Sequence, residues 1–211
     1  MSGERLARER VVDGVVHALG LILGVAGAAA LVLLVLFDGD PVLRAPLFIY
    51  AAGLLAMLAC SAAYNVFPSS PRRDWLRRFD HAAIFAMIAG TYTPFTTLRL
   101  NGAWSSGLTA VIWAIAAVGM AVKLLRPRRF ETISIVLYLA LGWIGLVALR
   151  PFLTSLDTTT LALLSAGGVL YTVGVVFHVR ESLPYHNAIW HGFVLTGAVV
   201  HYAAVVHETM V

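Results

Sequence analysis

The sequence predicts an all-α bundle of seven membrane-spanning helices, with its N-terminus cytoplasmic and its C-terminus outside. Three observations lead there. First, 60% of the 211 residues are hydrophobic and only 12% are charged, whereas a water-soluble domain carries about a quarter charged residues. Second, the chain divides into seven apolar runs, each close to the roughly 20 helical residues that cross a 30 Å hydrocarbon core. Third, the basic residues fall on alternate connections, which fixes the orientation.

The runs lie at approximately 15–37, 46–67, 80–98, 105–125, 130–149, 158–179 and 187–207, after a cytoplasmic tail at 1–14. Together they make one membrane domain over 1–211, with no internal repeat or low-complexity tract. Turn-forming residues separate them: Asp38-Gly39-Asp40-Pro41, Pro68-Ser69-Ser70-Pro71, Asn101-Gly102, Arg126-Pro127-Arg128, Arg150-Pro151 and Ser182-Leu183-Pro184. Arg5, Arg8 and Arg10 precede the first run, as in a secretory signal, but that run continues through Leu36. It therefore reads as a retained first span.

One side of the membrane receives twelve Lys and Arg residues: Arg5, Arg8 and Arg10; Arg72, Arg73, Arg77 and Arg78; Lys123, Arg126, Arg128 and Arg129; and Arg180. The other side receives three, Arg44, Arg99 and Arg150. Positive-inside asymmetry places the first group in the cytoplasm. The net charge of +4 is thus a topology signal. No helix carries a basic stripe, so nucleic acid is excluded as a partner. Membrane lipids are the expected surroundings. The single cysteine, Cys60, sits within an apolar run and reads as a small buried hydrophobe.

Small residues suggest where helices pack closely. Gly20, Gly24 and Gly27 share a face of the first span, and Gly167, Gly168 and Gly174 mark the sixth. Pro94 follows Gly90-Thr91-Tyr92-Thr93 inside the third span and is expected to kink it, with threonine hydroxyls satisfying freed carbonyls.

Polar side chains inside a membrane are costly and point to function. His17 lies near the cytoplasmic start of the first span, Ser61 and Asn65 near the cytoplasmic end of the second. Asp80 and His81 open the third, and His186, Asn187 and His191 open the seventh. Four spans thus bring polar groups to one depth and are expected to line a cavity there. Ser61 and Asn65 are i, i+4, as are Asn187 and His191, so each pair shares a face. His186 is five residues before His191 and points away from that face. Plainer readings exist for each: Asp80 as the N-cap of the third helix, His17 and His186 as headgroup contacts, Asn65 as an interhelical hydrogen-bonder. His201 stands about 15 Å further along the seventh span, by 1.5 Å per residue, too deep to join the group.

These residues lie in segments that resemble the hemolysin III branch of the progestin and adipoQ receptor family. The resemblance covers about 17–201. It is carried by Leu76-Arg77-Arg78-Phe79-Asp80-His81-Ala82-Ala83-Ile84-Phe85, by Ile88-Ala89-Gly90-Thr91-Tyr92-Thr93-Pro94-Phe95 and by Pro184-Tyr185-His186-Asn187-Ala188-Ile189-Trp190-His191. It implies seven helices with a cytoplasmic N-terminus in a bacterial inner or plasma membrane. For relatives of the adiponectin receptors it also implies zinc, held by the histidine of S-x-x-x-H on the second span and both histidines of H-x-x-x-H on the seventh. An aspartate on the third span positions water at the metal.

This chain departs from that pattern at two of the three ligands. Ser61-Ala62-Ala63-Tyr64-Asn65 and Asn187-Ala188-Ile189-Trp190-His191 each carry asparagine in place of a histidine. An amide oxygen is a poor zinc ligand. Only His191 remains in a ligand position, with Asp80 in the water-positioning one. The expectation is no resident cofactor. Zinc is the alternative, at a site rearranged around His17, His81 or His186. The function favoured by sequence alone is regulatory or structural, without metal chemistry. A metal-dependent lipid hydrolase of the ceramidase-like amidase type is the alternative, and a pore-forming hemolysin the remote one, since no span carries a polar stripe.

Overall fold

The computed structural model describes residues 2–38, 40–67, 71–126 and 130–210. Gly39, Pro68, Ser69, Ser70 and Pro127–Arg129, which belong to three of the expected breaks, lie outside the described residues. The helices are α1 (Ser2–Asp38), α2 (Pro41–Val66), α3 (Arg73–Leu98), α4 (Gly102–Leu125), α5 (Glu131–Gly142), α6 (Leu149–Ser155), α7 (Thr158–Val179) and α8 (His186–Met210). A short 3-10 turn, Ile144–Ala148, lies between α5 and α6. Glu131–Ser155 acts as one span, so the described helices make seven crossings. The protein is a multi-pass membrane protein.

Two helices, α2 and α7, begin at an aspartate that caps them. Asp40 accepts from Val42 N at 2.9 Å, with Pro41 as the first helical residue. Asp157 accepts from Thr159 N and Thr160 N and opens α7. Chain order sets the packing: α1 against α2, α2 against α3, α3 against α4, and α7 against α8, with α8 closing onto α1.

Three boundaries differ from expectation. Residues 2–14 are not a tail but the first turns of α1. At 37 residues and 1.5 Å per residue, α1 is about 55 Å long, so it extends well past a 30 Å core. Glu9 docks this extension by accepting from Tyr185 N at 3.2 Å. The third helix starts at Arg73, two turns before Asp80. Asp80 is therefore inside the helix and cannot be its N-cap. The fifth span does not end at Arg150-Pro151. Pro151 lies in the first turn of α6, where its missing N–H costs nothing.

Six of the seven crossings are long and apolar enough for a membrane; the third, α3, is the exception. Its enclosure explains this. Ala89, Gly90, Thr91, Thr93, Pro94, Phe95 and Thr96 are all buried, against protein rather than lipid. Gly53 and Gly90 set the closeness of α2 and α3: a Cβ at either would stand 3.3 Å from a carbonyl oxygen of the facing helix. Around Pro94 the threonines satisfy the backbone, Thr93 donating to Ala89 O at 2.8 Å and Thr97 to Thr93 O at 2.7 Å.

The break in the fifth span is also satisfied from α3. Tyr92 donates its hydroxyl to Gly142 O at 2.5 Å and accepts from Gly145 N at 3.1 Å. Irregular backbone survives at membrane depth only when protein supplies such partners. The glycines of α1 and α7 serve as packing surfaces. Gly20 and Gly24 face Leu58 of α2, Gly27 faces Tyr202, and Gly167 faces His201.

Candidate functional site

The arginine-rich end of the bundle gathers polar residues from α1, α2, α3 and α8. On α1, Asp13 and His17 are i, i+4 and both buried, at 8% and 7% exposure. His17 Nδ1 lies 2.8 Å from the carbonyl oxygen of Asp13. A carbonyl only accepts, so Nδ1 carries the proton and Nε2 holds the lone pair. Nε2 faces Ser61 Oγ at 3.3 Å. From α8, His191 places Nδ1 2.6 Å from Asp13 Oδ1, a charge-assisted hydrogen bond by its length. The two imidazoles meet edge to face with centroids 4.3 Å apart.

Asparagine takes a different part. Asn65 donates to Ser61 O at 3.0 Å, and Asn187 reaches Asn65 Oδ1 at 3.5 Å. The two amides thus face one another and tie α8 to α2. Asp80, on α3, lies beside Ser61 and within electrostatic reach of His191 and Arg77. His81 points to another side of α3. Its backbone carbonyl accepts from Tyr138 OH at 3.0 Å, its Nε2 lies 4.0 Å from Asp80 Oδ2, and Lys123, Arg77 and His178 are also near its ring.

A cavity of about 660 Å³ runs inward from this end, with mostly apolar walls. His17, Ser61, Asn65, Asp80, His81, Asn187 and His191 border it. His186 does not, correcting its expected place in the lining. Five helical residues turn it about 140° away from His191, and its Nδ1 is buried without a hydrogen-bond partner among the described residues. Deep in the bundle His201 also touches the cavity, where its ring faces the Leu164 carbonyl at 3.1 Å.

Among the described residues, Asp13, His17 and His191 are the group able to hold a metal ion, with ligand atoms within 4.8 Å of one another. One carboxylate and two imidazoles are a zinc-type donor set. Sequence reasoning found His17 and His191 but missed Asp13, which it assigned to the tail. The signal was present: Asp13-Gly14-Val15-Val16-His17 is an acid and an imidazole one helical turn apart.

Comparison with known proteins places the chain in a family. The haemolysin-III-related family matches residues 6–202. Hemolysin-3 of Bacillus cereus is 32% identical over 194 residues, covering 92% of this chain and 89% of that protein. The Hemolysin-3 homolog of Bacillus subtilis is 31% identical over 191 residues, covering 90% of each. The monocyte to macrophage differentiation factor of Homo sapiens is 30% identical over 198 residues, covering 90% of this chain and 79% of that protein. No solved structure matches. The chain belongs to the haemolysin-III-related family, within the superfamily that includes the progestin and adipoQ receptors.

Proposed function

We propose that this protein is a membrane-embedded lipid hydrolase whose site lies where the first, second, third and last spans meet. One observation carries the reading: a largely apolar cavity of about 660 Å³ is bordered at one end by two histidines and an aspartate from three different helices. An acyl chain fits such walls, and its polar linkage would then lie against the hydrolytic groups. Sequence alone favours a structural or regulatory role, because two family ligands are asparagine. Asp13 changes that balance by completing a donor set with His17 and His191.

When bound among Asp13, His17 and His191, a divalent cation supplies a Lewis acid and lowers the pKa of water. The chain's own residues do the rest. Asp13 fixes the tautomer and direction of His191 through its 2.6 Å contact. Ser61 joins His17 to Asp80, keeping both turned into the cavity. Asp80 holds the attacking water and takes its proton. Water oxygen joins the acyl carbon, the C–O or C–N bond breaks, and the proton passes to the departing oxygen or nitrogen. Leu58, Val194 and Leu195 exclude bulk water from the acyl side. Arg77, also on the cavity wall and partly exposed, stands where a headgroup would enter.

The test is turnover of a panel of acyl-amide and acyl-ester lipids by purified protein in liposomes. Wild type is expected to cleave one class. Asp80→Asn is expected to lose at least 100-fold in rate, the scale of a general base. No turnover of any panel member by zinc-loaded wild type counts against the reading. Release of a trapped dye without lipid cleavage would favour the pore-forming behaviour that the relatives' hemolysin names suggest.

A further inference from the structure

We propose that the cavity carries a second polar subsite, a seat for the phosphate of a phospholipid, built around Lys123 in the last turn of α4. The inference rests on the hydrolase reading for its purpose and names the substrate class of that reading.

The pattern of α4 supplies the first argument. Its buried residues are Leu108, Ile112, Ala116, Gly119 and Lys123, which recur at helical spacing and so form one inward stripe. All but the last are small or apolar. Lys123 ends the stripe at 1% exposure, although lysine is almost never fully buried unless it is paired. Among the described residues it is also the one member of α4 on the cavity wall.

Charge supplies the second. Among the described residues Lys123 makes no ion pair. Arg77 and Glu131 are the charged groups within its electrostatic reach, and those two are already paired with one another. Two cations therefore share one carboxylate. Asp80 lies beside Ser61 and faces His191 and Arg77 instead. A buried ammonium with unmatched charge is costly, and an anion in the cavity offsets that cost. Phosphate suits this set, since lysine binds it as a point charge and arginine through its planar fork. His81, with Lys123 and Arg77 near its ring, brings a further N–H to the same wall.

Placement supplies the third. Asp80 and His81 are consecutive on α3, so they stand at one depth and about 100° apart around the helix. The hydrolytic groups and the Lys123 seat thus occupy neighbouring faces of one cavity. A phospholipid holds its phosphate a few bonds from its acyl linkage and can reach both at once. A neutral acyl-amide lipid has nothing to offer Lys123.

The experiment follows thermal stability of the full-length protein in neutral detergent, titrated with dioleoyl phosphatidic acid, dioleoylglycerol or inorganic phosphate. The two lipids differ only by the phosphate. Ligands that bind the folded state raise the melting temperature by mass action. Wild type is expected to prefer phosphatidic acid by at least about tenfold in affinity, with no shift from inorganic phosphate. Lys123→Met keeps the length and removes the charge. Without lipid it is expected to melt at or above wild type, because the unmatched charge is gone, and it loses the preference. Lys123→Arg is expected to keep it. Arg126→Gln, at an exposed cation beside the same helix end, is expected to keep it within about threefold. Equal affinity of wild type for the two lipids would overturn the proposal, as would a Lys123→Met variant that retains the preference. A lipid-free Lys123→Met variant that melts well below wild type would make Lys123 a structural residue. A shift from inorganic phosphate equal to that from phosphatidic acid would assign the seat to the free anion and overturn the lipid. Turnover is scored separately. Phosphate preference without cleavage of any lipid retains the seat and removes the hydrolase reading. Cleavage with equal affinity for neutral and phosphate-bearing lipids removes the seat and retains the hydrolase.

Discussion

Two buried carboxylates, one at each end of the bundle, have partners of different kinds. Glu208, at the C-terminal end of α8, lies 2.6 Å from Arg99 Nε, and its side chain is 5% exposed. Asp13, at the other end, lies 2.6 Å from His191 Nδ1, and its side chain is 11% exposed. Guanidinium keeps its protons at any physiological pH and has no lone pair to offer. Imidazole can give up a proton and bind a metal. The Arg99–Glu208 pair can therefore only hold α3 to α8. The Asp13–His191 pair holds α1 to α8 and leaves chemistry available, so similar lengths and similar burial serve different ends.

The largest difference should appear in activity. Asp13→Asn is expected to cut lipid turnover at least 100-fold, while Glu208→Ala leaves the rate per folded molecule within about threefold. The check is a rate normalised to folded protein by size-exclusion chromatography. Equal losses in both variants would erase the distinction between the two ends.

Stability should reverse the order of importance. Glu208→Ala removes a charged hydrogen bond and is expected to cost about 2 kcal/mol, seen as a lower melting temperature in detergent. Between the two ends, Gly167→Ala on α7 offers a control at the contact with α8. A Cβ there would run into the His201 ring, so overpacking of about 1–3 kcal/mol is expected. Gly107→Ala meets nothing within 4 Å and should change little.

Much of this architecture was legible in the sequence because hydrophobic length and arginine placement are strong, local signals. The polar cluster was legible too, since Ser61, Asn65, Asp80, Asn187 and His191 fall at one depth once the spans are drawn. Asp13 was not. A ruler that measures apolar residues begins α1 at 15 and stops short of a helix that continues in polar sequence to Ser2. The start of α3 was hidden for the same reason: Arg73, Asp74, Arg77 and Arg78 are helical without being apolar. The break after Gly142 depends on Tyr92, a residue 50 positions away, and no local pattern announces it.

The smallest effect belongs to Asp157, the exposed cap of α7, which also lies 2.9 Å from His207. Backbone hydrogen bonding, first from Thr160 N–H and then from Thr159, holds its carboxyl below the usual carboxylate value, with the nearby His207 adding to this. A lowered folded-state pKa means that its contribution is present at neutral pH and is lost as pH falls through that lowered value. Asp157→Asn is therefore expected to lower the melting temperature slightly at pH 7. The gap from wild type should close on acidification below the ordinary carboxylate range. A gap that persists there would assign the effect to something other than the carboxylate charge.

The most direct test of the central claim, that the first span belongs to the site, is a double-mutant cycle on Asp13→Asn and His191→Gln. It is read as unfolding free energy in detergent with chelator present, so that metal plays no part. Direct partners couple by about 0.5–3 kcal/mol, whereas residues without shared contacts add to within about 0.5. The account predicts coupling of at least 1 kcal/mol for this pair and near-zero coupling for Arg99→Gln with His191→Gln. Additive losses for Asp13→Asn and His191→Gln would contradict it.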